Sequence, residues 1–268
     1  LFTKRRGIMT AVVKVGTAKG QMSVPPFAAF LIALYDWRLA LMILGIGAAV
    51  VLVVAALLMK SPVASSSSGA PIDVPGTTFI DARKSSNFWM ICAIQFSFFI
   101  TLSTIPLHIV IHGMDLGMTP AMAASLLSVM GGASIVGRLG VGGLVDRIGG
   151  RRALIFCFVP LIISLLAFLS ISTPWILFVG VAVYGIGHGG FFTVTSPTIA
   201  QYFGLKAHGK IFGFVLFFGM AGGACGPILA GRIFDVTNSY GPAFMTLAGM
   251  AAVGMLLAWR LPAASSAN

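Results

Sequence analysis

Eight long, mostly apolar stretches separated by short turns dominate this chain: residues 7–35, 38–59, 87–112, 119–145, 153–171, 174–203, 209–234 and 240–261. A helix needs roughly 20 mostly apolar residues to cross a bilayer, and a helix satisfies every backbone polar group within its own segment, as lipid requires. The runs do not alternate in polarity, which argues against a membrane β-barrel. Only 9% of residues are charged and 58% are hydrophobic, whereas a soluble domain carries about 25% charged residues. The fold class expected is therefore all-α, a polytopic membrane helix bundle of about eight transmembrane helices.

The formal net charge of +11 raises the alternatives of nucleic acid or an anionic surface. The positions of the charges point to membrane orientation instead. If the loop before the first span is cytoplasmic, Lys4, Arg5, Arg6, Lys60, Arg83, Lys84, Arg147, Arg151, Arg152, Lys206, Lys210 and Arg260 fall on the cytoplasmic side. Only Arg38 and Arg232 fall outside, and Lys14, Lys19 and Arg138 lie within spans. A bias of twelve to two in short loops sets orientation, in a plasma or inner membrane, with the central connection and C-terminus cytoplasmic. Cys92, Cys157 and Cys225 all lie in spans and read as small packing residues.

One connection is long, "KSPVASSSSGAPIDVPGTTFIDARKSS" over 60–86, and its Ser, Pro and Gly read as a flexible linker. Residues 1–59 then hold two spans, 87–262 hold six, and 263–268 form a tail. A shift of 203 residues places Gly16 on Gly219, Gly20 on Gly223, Trp37 on Tyr240 and Ala40 on Ala243, with Pro25 and Pro227 offset by one. Parallel repeats of this kind relate the halves of one class of transporter. The first span thus matches the fifth of the six-helix half. The chain opens "LFTKRR" without a Met or a signal-peptide n-region, and the expectation is that the N-terminal half is incomplete.

"GRLGVGGLVDRIGGRR" (137–152) carries Gly142, Asp146, Arg147, Gly149, Arg151 and Arg152 at a spacing that resembles the cytoplasmic loop motif of the major facilitator superfamily. Gly150 stands where an arginine is usual. "GGACGPILAGRIFDVTNSYGPAF" (222–244) resembles the eleventh helix of that family, and 4–21 with 35–45 resemble its fifth and sixth. Residues 108–147 are similar to the seventh and eighth helices of the oxalate/formate-antiporter and monocarboxylate-transporter-like branch. The resemblance covers nearly the whole chain, read as helices five to twelve of twelve. It implies that Asp146 caps and pairs across the bundle to hold one conformation closed; a purely topogenic basic loop is the other reading. Gly16, Gly20, Gly219, Gly223, Gly226 and Pro227 read as helix-packing residues.

The resemblance gives Arg138 a contact with a substrate carboxylate, although Ser134 stands where the branch often carries Asp. A charge at this depth costs a few kcal/mol and usually faces a bundle interior or aqueous cavity; snorkelling to the cytoplasmic interface remains open. Lys14 lies about 12 Å of helix beyond Arg6, near the midplane. Lys19 is five residues on, about 140° round the helix, so the two lysines cannot share a face. Gln21 shares the Lys14 side. His188, within "YGIGHGG", is either a proton-exchanging group or an interior hydrogen-bonded histidine. The candidate substrate-binding set is Lys14, Arg138, Gln21, His188 and Lys19.

The chain contains no Glu, and Asp36, Asp73, Asp81, Asp115, Asp146 and Asp235 all map to loops or span ends. Interior cations without interior acids favour an anion and disfavour a drug exporter, which needs a buried acid. No catalytic constellation, metal spacing or phosphate loop is found, so no enzyme, metal or cofactor is expected. The expected function is alternating-access transport of a small mono- or dicarboxylate by a monomer in the lipid bilayer, with protons or a counter-anion as candidate co-substrates. A membrane receptor that binds the anion without moving it is the rival. The charge asymmetry makes a direct prediction: a cysteine at Ser67 reacts only with reagents in the cytoplasm and one at Met114 only with reagents outside. Labelling from the opposite sides would overturn the orientation.

Overall fold

The computed structural model describes residues 6–58, 75–171 and 173–262. The first fifteen residues of the 60–86 connection and the 263–268 tail lie outside the described residues. Those described form α1 (Arg6–Leu34), α2 (Trp37–Leu58), the short α3 (Phe79–Lys84), α4 (Ser86–Asp115), α5 (Pro120–Ile148), α6 (Gly150–Ala167), α7 (Pro174–Phe203), α8 (His208–Thr237) and α9 (Gly241–Arg260). The architecture is all-α, as expected.

Local chemistry fixes the ends. Asp36 caps α2 by accepting from the Leu39 amide at 2.8 Å. Thr119 accepts from the Met122 amide at the start of α5, with Pro120 in its first turn, where a missing N–H costs nothing. Five helices, α1, α4, α6, α7 and α8, carry proline inside, which membrane helices tolerate when neighbours satisfy the freed carbonyls.

Seven of the described helices, α2 and α4 to α9, are long and apolar enough to cross a membrane. α1 is the exception among the eight stretches read from the sequence: Lys14, Lys19, Gln21 and two prolines dilute its hydropathy. It packs along the bundle all the same, antiparallel to α5. α5 and α6 in turn flank α7, α4 packs on α8 and α9, and α6 on α9. α2 touches little but α1 and buries only Ala40.

Part of the long connection is more structured than its composition implies. Thr78 caps α3: its hydroxyl accepts from the Asp81 amide and donates to the Asp81 carboxylate at 2.6 Å. That bond, ahead of the nearby Lys84 charge, holds the Asp81 carboxyl below its ordinary range. Phe79 packs edge-on against Phe88 and Phe214. The segment is pinned to the end of α7, where the Thr77 amide donates to the Phe203 carbonyl and the Leu205 amide to the Pro75 carbonyl. Gly204 has φ +72, and a Cβ there would strike Gly76.

Side chains in lipid gain no hydrophobic energy by meeting other helices, so close approach through small residues carries much of the packing. The glycines of 185–190 serve two neighbours. A Cβ at Gly185 would sit 2.6 Å from the Met130 carbonyl, and one at Gly189 would collide with Ser134, both on α5. A Cβ at Gly187 would lie 2.6 Å from the Cys157 carbonyl of α6. Gly137 approaches the Ile186 carbonyl in the same way. Beside this seam Phe98 and Phe191 stack at 3.7 Å, with Phe158 edge-on at 5.2 Å.

Two substitutions on α5 test this packing. Gly137→Ala should lower thermal stability in detergent by several degrees, because overpacking costs about 1–3 kcal/mol. Gly140→Ala has open space around its Cβ and should be neutral or slightly stabilising through helix propensity. Equal melting temperatures for the two variants would contradict the seam.

Candidate functional site

The site is built on the antiparallel pair α1 and α5. At the N-terminal end of α1 two glycines let the backbones meet: a Cβ on Gly7 would collide with the Gly142 carbonyl, and one on Gly142 would sit 2.6 Å from the Ala11 methyl. This approach brings Asp146 to the start of α1. Its carboxylate accepts from the amides of Gly7 at 2.9 Å and Ile8 at 3.3 Å. The first amides of a helix lack intrahelical partners and carry the positive end of its dipole, so an aspartate is well matched to this position.

The rest of the motif serves the turn and the far side. Gly149 ends α5 with φ +81, and the Gly150 amide donates to Gln201 at 2.9 Å. Arg151 crosses to the end of α9 and donates to the Trp259 carbonyl at 2.6 Å. Arg147 and Arg152 are exposed.

Two turns up α5, Arg138 is only 1% exposed. Its Nη1 donates to the Lys14 carbonyl at 2.7 Å and to the Thr17 hydroxyl at 2.6 Å, and Thr17 itself donates to the Lys14 carbonyl at 2.8 Å. The guanidinium lies 5.0 Å from the centre of the Phe192 ring. The Lys14 ammonium stands 5.6 Å from that same ring and 5.8 Å from Phe212, distances at which ring faces attract cations. The head of Arg138 is thus tied to α1. Arg138 Nε is buried with no hydrogen-bond partner, and among the described residues no carboxylate pairs with either cation.

His188 is 2% exposed. Its ring lies 5.2 Å from Phe192 and 5.9 Å from Tyr184, and its Nδ1 has no partner. Lys14 also lines a cleft of about 610 Å³ between α1, the C-terminal end of α7 and the start of α8, with Thr10, Ser196, Pro197 and His208.

The structure brings Lys14, Arg138 and His188 together around Phe192 but not the other two candidates. Lys19 is exposed on a different face, as the 140° separation requires. Gln21 turns to α5, where its Nε2 meets Met130 Sδ at 3.3 Å. Among the glycines, Gly219, Gly223 and Gly226 abut Phe99, Ser103 and Ile100 of α4, while Gly16 and Gly20 have nothing within 4 Å of a Cβ among the described residues. Cys225 is exposed. Thr17, Phe192 and Phe212 were not anticipated. Thr17 stands one turn from Lys14, a spacing visible in the sequence, but nothing in the sequence pairs the two phenylalanines with a lysine on another helix.

At the opposite end of the bundle His108 bridges α4 to α8 and the α8–α9 turn. Its Nε2 faces the Pro227 carbonyl at 3.3 Å and its Nδ1 the Tyr240 hydroxyl at 3.4 Å. A carbonyl only accepts, so Nε2 donates to it and Nδ1 accepts from Tyr240.

A family model described as Major Facilitator Superfamily matches residues 1–169 and 113–268. The chain is 32% identical over 175 residues to human "Monocarboxylate transporter 7", covering 63% of this chain and 34% of that protein. It is 27% identical over 271 residues to "Monocarboxylate transporter 13" of Bos taurus, covering 97% of this chain and 61% of the relative. It is 26% identical over 241 residues to "MFS transporter asaE" of Aspergillus flavus, covering 87% and 52%. The chain thus spans less than two thirds of each of these relatives. A solved Major Facilitator Superfamily transporter, FucP, in the outward conformation superposes with a TM-score of 0.61 at 17% identity, over 87% of this chain and 57% of that one.

The Asp146 cap yields a prediction. Asp146→Asn removes the negative charge at the α1 terminus, a loss of about 1 kcal/mol. With Val145→Cys as reporter, in a background lacking Cys92, Cys157 and Cys225, alkylation from the cytoplasm should accelerate roughly fivefold. An unchanged rate would leave the hairpin as a topogenic loop alone.

Proposed function

The chain belongs to the major facilitator superfamily, and on that premise we propose that it moves a small organic anion, a mono- or dicarboxylate, across the membrane by alternating access. One observation carries this reading. Two cations on different helices, Lys14 and Arg138, share the Phe192 ring in the bundle interior with no carboxylate beside them among the described residues. A buried charged donor without a partner is costly, and an arriving carboxylate would supply the missing acceptor. The names of the human and bovine relatives, monocarboxylate transporters, support the same substrate class.

In this mechanism Arg138 takes the carboxylate through its planar fork and Lys14 adds a point charge from α1. Phe192 forms an apolar wall beside both. α1 and α2 belong to one rocking bundle and α4 to α9 to the other, joined by the cytoplasmic 60–86 connection. The Asp146 cap holds the two together on the cytoplasmic side. When the cap releases, Lys14 moves off with α1, and the anion loses one of its two charge partners. His188 completes the polar lining next to Phe192.

Uptake of radiolabelled lactate and succinate into proteoliposomes tests the assignment. Lys14→Ala should weaken uptake roughly ten- to a hundredfold, as expected for a hydrogen-bonded charge partner. Lys14→Arg should restore part of it, because the charge survives while the geometry changes. Normal uptake of both anions by the Lys14→Ala protein would sink the anion site. Binding of the anion to wild type without uptake would favour the receptor reading.

A further inference from the structure

The reading of Lys14 and Arg138 as an anion site leaves open what aims Arg138. Its guanidinium is held from one edge only. Nη1 reaches across to α1, where the Thr17 hydroxyl and the Lys14 carbonyl accept from it at 2.6 and 2.7 Å. Thr17 is itself fixed by donating to that carbonyl at 2.8 Å, so the three groups form a closed triangle. The opposite atom, Nε, is buried and unpartnered. Its central carbon lies over the Phe192 ring, 5.0 Å from the ring centre. An arginine pinned at one edge, set over an aromatic ring and unsatisfied at the other edge has its free donors pointed in a set direction.

Both acceptors belong to α1 and the arginine to α5. Thr17 lies ten residues above Gly7 on α1, and Arg138 eight residues above Asp146 on α5. At 1.5 Å per residue the triangle stands about 12–15 Å above the Asp146 cap along the same seam. Opening of the seam from its cytoplasmic end therefore breaks the cap first and the triangle next. Further up the same seam the backbones meet again, where a Cβ on Gly131 would sit 2.6 Å from the Met22 amide.

We propose that Thr17 is a positioning residue that orients Arg138, so that the anion site exists in full only while α1 and α5 are closed together on the cytoplasmic side. The anion is then held by an arginine whose orientation depends on the closed seam, and it is released inward when the seam parts. This rests on the assignment of Arg138 to an anion. Linkage makes the relation reciprocal: an anion that binds only the clasped state must also stabilise it.

The test reads conformation and binding separately in the intact protein. The reporter is Val145→Cys in the background without native cysteines, alkylated from the cytoplasmic side. Without any anion, Thr17→Val should speed alkylation about three- to tenfold, since a hydrogen bond to a charged group is lost while the Lys14 carbonyl remains. Thr17→Ser, which keeps the hydroxyl, should stay at the wild-type rate at equal membrane abundance. Lactate or succinate, used as probes, should slow alkylation of the wild-type seam and bind Thr17→Val several-fold more weakly, with Thr17→Ser again near wild type.

Wild-type alkylation in Thr17→Val would overturn the proposal, as would anion affinity unchanged by that substitution. Acceleration of alkylation by the anion in wild type would also overturn it. If neither anion affects wild type while Thr17→Val still opens the seam and Thr17→Ser does not, the clasp stands and the carboxylate assignment fails.

Discussion

The seam between α1 and α5 governs this structure. Two antiparallel helices meet where Gly7, Gly142 and Gly131 leave no side chain between the backbones. In lipid such proximity matters because apolar side chains gain nothing by leaving other apolar surroundings. Dispersion contacts and a few polar bonds must suffice, and both need the helices close. The Asp146 cap and the Arg138 triangle exist only because the glycines permit that distance. The glycine-rich stretch of α7 extends the arrangement by letting α5 and α6 pack on opposite sides of one helix.

That dependence bears on the proposed function. A charge in a membrane interior needs partners, and Arg138 finds its polar ones on a different helix, α1. In the mechanism we propose, the groups that hold the seam shut and the groups that face the anion overlap: Lys14 contributes its carbonyl to the clasp and its ammonium to the site. On that proposal conformation and affinity are coupled through one residue pair, with no relay over distance required. At the opposite end of the bundle His108 plays a comparable structural part, tying α4 to the Pro227 carbonyl of α8.

Much of the fold is legible in the sequence. Long apolar runs and basic turns locate α4 to α9 within a few residues, because a helix is the structure in which a single lipid-exposed segment satisfies its own backbone. The motif ending α5 is equally legible, since Asp146 lies where a helix turns back and its spacing to Arg151 is local. The connection over 60–86 is less so. Its Ser and Pro content reads as loose, yet Thr77 and Phe79 organise its final part by contacts with Phe88, Phe203 and Phe214, more than a hundred residues away in two cases.

The site divides along the same line. The sequence by itself determined that Lys14, Arg138 and His188 are polar groups inside long apolar stretches, that Lys14 and Lys19 face different ways, and that no glutamate accompanies them, because position in a run, helical phase and composition are properties of single segments. Only the tertiary structure decided that Arg138 points at Thr17, that Phe192 lies near two cations, and that Gln21 turns to Met130. It also decided that Gly16 and Gly20, unlike their repeat partners Gly219 and Gly223, pack nothing among the described residues. Those outcomes depend on which helix lies beside which and at what distance, and helical periodicity specifies a face without naming the neighbour that will meet it.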